Sequence, residues 1–71
     1  MMMPLNLAEE NRSQIIRKIG GSPDVKKHLE DLGFTVGGEV SIVSTLSGNL
    51  IVKVKESRVA VSSELARKIM V

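Results

Sequence analysis

Leu29-Glu30-Asp31-Leu32-Gly33-Phe34-Thr35-Val36-Gly37-Gly38-Glu39-Val40 reads as the end of a short amphipathic helix, a glycine stop, a second tight turn and the start of a strand. Gly33 falls just after the last apolar helical position, where a residue of positive φ closes the final turn. Gly37-Gly38 lets the chain reverse before Val40 and Ile42 open a period-2 pattern. A helix set between strands of a very small chain narrows the fold more than a catalytic motif would, and the sequence carries no such motif.

Upstream of that stretch, Ser13–Ile19 reads as a first strand, with Ile15 and Ile19 on one face and Ile16 on the other. Gly20-Gly21 ends it. Ser22 suits an N-cap, Pro23 the first helical position, and Asp24 the positive end of the helix dipole. Val25, Leu29 and Leu32 then recur at i, i+4 and i+7 as one apolar stripe, with Lys26, Lys27, Glu30 and Asp31 towards water. Downstream, a second strand runs from Glu39 to Leu46, and Ser47-Gly48-Asn49 supplies a hairpin turn. The third strand, Leu50–Lys55, alternates: Leu50, Val52 and Val54 inward, Lys53 and Lys55 outward. Glu56-Ser57 links it to a fourth, Arg58–Val61. Ser62 or Ser63 caps a short helical turn over Glu64–Arg67, and Ile69–Val71 forms a last short strand.

Five short strands joined by tight turns are best spared two long open edges by closing on themselves. The expected inward set is Ile15, Ile19, Val40, Ile42, Val52, Val54, Val59, Val61 and Ile69, mostly β-branched residues that suit a pleated wall. The fold class read from the chain is mainly β. It is a small SH3-like five-stranded barrel with a helix inserted after the first strand, plugging one end with Val25, Leu29 and Leu32. A short helical turn lies near residue 65.

The 71 residues make one domain, with residues 1–4 expected to lie outside the ordered fold. There is no cysteine, so neither disulfides nor a thiolate metal site can supplement the core. Phe34 is the only aromatic residue. The first ten residues lack the basic region and apolar run of a signal peptide, and no stretch approaches the ~20 apolar residues that span a bilayer.

Ten basic and eight acidic side chains leave a formal charge of +2, too little for the basic stripe of a nucleic-acid binder. The distribution says more. Lys53, Lys55 and Arg58 cluster late in the chain, and Arg17-Lys18 sit on the first strand. Lysines commonly guard exposed strands, which is the plain explanation. The functional one is a docking face for an acidic partner, formed by Lys53, Lys55 and Arg58 with Arg17.

Other chemistry is sparse. His28 is the sole histidine, one helical turn from Asp24, and that pair would leave most coordination positions of a metal to water. Met1, Met2 and Met3 form a terminal run, and Met70 reads as packing. There is no nucleophile elbow and no phosphate-binding glycine loop. No catalytic residue, metal ligand or cofactor is therefore expected. With one aromatic ring, neither a proline-peptide groove nor a base-stacking platform can be built.

From Pro4-Leu5 to Val71 the chain resembles the FeoA family, small accessory proteins of bacterial ferrous iron uptake. The likeness is carried by Ile19-Gly20-Gly21, by Leu29 and Leu32-Gly33-Phe34 with Gly37 four residues on, and by Val40 and the hairpin. Val59-Ala60-Val61 and Glu64-Leu65-Ala66 with Ile69 and Val71 complete it. Three places depart from the family pattern. Glu10-Asn11-Arg12 replaces a usual glycine turn, Val36 a usual proline, and Glu56-Ser57 a link that usually holds glycine. The resemblance implies an SH3-like domain in the cytoplasm that works with FeoB, a membrane permease carrying a GTPase domain. Similar domains end iron- and manganese-dependent repressors, so a free-standing regulatory domain is the alternative. A small RNA-associated barrel using Lys53, Lys55 and Arg58 comes third. An exposed strand also leaves self-association open.

Overall fold

Ser22 caps the inserted helix as its sequence implies. The Oγ of Ser22 accepts the Val25 N–H at 3.3 Å, and Pro23 opens α1, which spans Pro23–Asp31. The computed structural model describes residues 2–71. Beyond α1 the chain turns through Gly33 at φ +108°, and the Phe34 N–H donates back to the Leu29 carbonyl at 3.0 Å. That turn sends Phe34 inward, where it is fully buried beside the core that Leu29 also enters. Val25 and Leu32 flank Leu29 and are only half-buried, so the stripe reaches the core mainly through its middle residue.

The strands are β1 (Gln14–Ile15), β2 (Lys18–Ile19), β3 (Glu39–Leu46), β4 (Asn49–Val54), β5 (Ser57–Ser62) and β6 (Ile69–Met70). A helical turn, α2 (Ser63–Ala66), separates β5 from β6, and Ser62 Oγ caps it by accepting the Leu65 N–H at 3.2 Å. Hydrogen bonding joins the strands in two antiparallel sheets, ordered β1-β3-β4-β5 and β2-β6. The expected five strands are thus six. Strand pairing among the described residues does not run in a closed ring, because β5 and β6 are bridged by α2 and not by a ladder.

The extra strand comes from a break in the first one. β1 pairs with β3, Gln14 opposite Val40, while β2 pairs with β6, Ile19 opposite Ile69. At the handover the Ile16 N–H donates to Gly38 at 2.9 Å, the Gly37 N–H donates to Ile16 at 2.7 Å, and the Arg17 N–H donates to Met70 at 2.8 Å. One segment therefore serves two sheets, and alternation slips at the bend. Ile16 is fully buried and Ile15 is 45% exposed, which corrects the expected inward role of Ile15. Ile16 and Ile19 face the core three residues apart, a spacing that strict period-2 reading cannot produce.

Elsewhere the differences are small. A bulge between Ile42 and Ser44 adds one residue to β3 opposite β4. The β3–β4 turn is Ser47-Gly48, with Asn49 already paired to Leu46. The β4–β5 turn is Lys55-Glu56 and not Glu56-Ser57, since Val54 pairs with Ser57. α2 begins and ends one residue earlier than expected. Leu5 and Val71 join the core, and Met3 and Val71 exchange backbone hydrogen bonds at 2.9 and 2.8 Å. Met3 and Pro4, expected outside the fold, are thereby paired along the last residues of the chain, Pro4 against Met70. Met1 lies outside the described residues.

Candidate functional site

Alternation along β4 buries Leu50, Val52 and Val54 and turns Lys53 to solvent. On β5 the same alternation turns Arg58 outward while Val61 enters the core. The register sets Ser41, Lys53 and Arg58 directly opposite one another on β3, β4 and β5, a polar row across the outer face of the sheet. Two cations facing each other across a ladder repel and cost stability. Neither forms an ion pair, the one ion pair among the described residues being Arg12 with Glu9 at 3.7 Å, although Glu39 lines the same shallow groove as Lys53.

Lys55 lies just beyond the row, at the first turn position, with φ +55°. Its side-chain stem passes beside Gly33, where an added Cβ would stand 3.9 Å from Lys55 Cδ. Lys53, Lys55 and Arg58 are all exposed, and all belong to one hairpin. Arg17 does not join them. It lines an open groove of about 420 Å³ together with Lys18, Ile19, Lys26, Glu30, Thr35 and Val36. Lys26, on the water-facing side of α1 by its spacing, lines this groove as well. The bend at Ile16 brings Arg17-Lys18 beside α1, and no local sequence signal marks that bend.

The remaining expected residues are structural. Leu29 and Val40 are buried, Leu32 is half-buried, and Gly33 and Gly37 carry φ +108° and +89°. At Gly38 the constraint is space, since an added Cβ would lie a tight 3.1 Å from the Thr35 carbonyl that accepts its N–H. Asn11 adopts φ +62° and donates its N–H to Ile42 at 2.7 Å. Asparagine tolerates that conformation better than most residues. Thr45 Oγ1 donates to Glu10 at 2.9 Å beside it and ties the same segment to β3. His28 and Asp24 are exposed, and among the described residues no three His, Cys, Asp or Glu side chains gather as a metal-holding group.

The FeoA domain model matches residues 3–71. The chain belongs to the FeoA family. It is similar to "Putative Fe(2+) transport protein A" of Methanocaldococcus jannaschii, 31% identical over 70 residues, covering 99% of this chain and 85% of that one. Its fold matches the crystal structure of an iron uptake regulatory protein, FeoA, with TM-score 0.90 and 26% identity over 99% of this chain and 93% of that one. A manganese-dependent transcriptional repressor shares the fold as well, with TM-score 0.89 and 15% identity. There the chain covers 40% of the larger protein. At that identity the likeness concerns the fold alone. Among the described residues, no helix is long and apolar enough to cross a membrane.

Proposed function

We propose that this protein is a non-enzymatic cytoplasmic accessory of ferrous iron uptake, acting through contact with a FeoB-type GTPase permease. Membership of the FeoA family over residues 3–71 supports the iron-transport setting, as does the name of the Methanocaldococcus relative. The observation that carries the contact is the in-register Lys53–Arg58 pair, two exposed cations facing each other with neither in an ion pair. An acidic partner face would neutralise the pair and recover the repulsion it stores. Lys55 extends this docking surface along the same hairpin. Arg17, in the groove beside α1, would make a separate contact with the same partner.

Iron is the cargo of the permease in this reading, and no residue of this chain is assigned to hold it. The repressor-domain alternative draws only on fold likeness, whereas the relative named for Fe(2+) transport matches nearly the whole chain in sequence. The test is retention of the tagged full chain on detergent-solubilised membranes containing a FeoB-type permease, against membranes lacking it. Selective retention supports the proposal; equal recovery from both contradicts it.

A further inference from the structure

We infer that the free edge of β5 is a strand-addition site for an extended segment of a partner protein that carries an acidic residue after two apolar ones. This rests on the reading that the chain acts by protein–protein contact, and it specifies how the partner is held. β5 is the last strand of its sheet, paired to β4 from Ser57 through Ser62 with no register shift. Among the described residues, no backbone hydrogen bond reaches Arg58 to Val61 from any element other than β4. Sheet edges are ordinarily blunted by proline, bulges, several charges or a covering element. This one has no proline or bulge and a single charge, Arg58. It is a straight template for an added strand.

The rows that run off this edge say what that strand should contain. Ser41, Lys53 and Arg58 form one row, whose next position lies on the added strand. An aspartate or glutamate there would stand directly opposite Arg58 and offset its repulsion from Lys53. Two residues along, half-buried Ile51 stands opposite exposed Ala60, so the next position in that row suits an aliphatic side chain. Between them, the position beside half-buried Val59 faces the core side of the sheet and suits a second apolar residue. An antiparallel segment would therefore present aliphatic, apolar and acidic residues in that order. A second copy of β5 fits poorly, because Ser57–Ser62 contains no carboxylate to set against Arg58.

The test titrates the isotopically labelled full chain with a blocked serine- and threonine-rich peptide carrying isoleucine, valine and glutamate in that order. Amide NMR shifts and slowed hydrogen exchange are expected at Arg58 to Val61. A control peptide with lysine for glutamate should bind roughly tenfold more weakly, and Arg58→Glu should reverse that preference. Shifts confined to other strands, equal binding of the two peptides, or indifference to Arg58→Glu would overturn the inference. So would concentration-dependent protection of β5 without peptide, which would put a second copy there. Permease binding that depends on Lys53 and Arg58 without peptide binding at β5 would overturn strand addition alone. The converse result would keep the edge site and remove the permease.

Discussion

Lys53 and Arg58 stand directly opposite one another across β4 and β5, both exposed and neither in an ion pair among the described residues. Replacing one charge should therefore stabilise the isolated protein. Arg58→Gln is expected to raise stability by about 0.2–1 kcal/mol, from the usual cost of like charges across a ladder. Urea midpoints at low and high salt check it, because screening should shrink the gain. A loss of stability, or a gain indifferent to salt, would show that the pair is not in repulsion.

The helix is held by one side chain above all. Leu29 has no solvent exposure, whereas Val25 and Leu32 are half-buried. Leu29→Ala should cost about 2–5 kcal/mol, against total stabilities of roughly 5–15 kcal/mol for ordinary domains. A denaturation midpoint equal to that of the wild type would mean that α1 is not anchored through Leu29.

Two neighbouring turn positions should respond in opposite directions. At Gly33, φ is +108° and an added Cβ would meet Val54 no closer than 3.6 Å, so the penalty is one of backbone conformation and not of clash. Gly33→Ala should lose about 1–2 kcal/mol, the ordinary cost of left-handed backbone for an L-residue. Lys55 already bears that cost at φ +55°. Lys55→Gly should recover it less the extra chain entropy of glycine, a net gain of roughly 0.5 kcal/mol. Thermal or urea unfolding of both variants decides the matter, and the same sign of change in both would contradict the assignment.

Ferrous ion added to the isolated chain should bind weakly. Asp24 and His28 are the nearest approach to a ligand pair in the sequence, and both are exposed on α1. Anaerobic titration calorimetry is expected to show shallow uptake that His28→Ala leaves unchanged. A saturable one-to-one isotherm abolished by that substitution would assign the protein a metal of its own.

The helix, the β3–β5 meander and the caps at Ser22 and Ser62 were legible because each rests on local signals: period, capping side chains and turn residues. The split at Ile16 was not. It depends on two distant partners, Gly37-Gly38 and Met70, that pull one segment into different sheets. Nothing local in Ile15-Ile16 says which isoleucine faces in. Lys55 continues the β4 alternation in sequence, and its left-handed conformation follows only from the pairing of Val54 with Ser57, which leaves it in the turn. The facing of Lys53 and Arg58 follows from alternation plus a short hairpin, so the pair could be expected once both strands were drawn. That Arg17 lies in another groove required the bend.

The central claim, docking of an acidic partner on the β4–β5 hairpin, is tested most directly by association kinetics. The wild-type chain and a variant carrying Lys53→Glu, Lys55→Glu and Arg58→Glu are compared for binding the cytoplasmic part of a FeoB-type permease at low and high salt. The variant is expected to associate more slowly, with the difference widest at low salt, as electrostatic steering requires. An unchanged on-rate and affinity in a variant that folds normally would reduce these three cations to a solvated face.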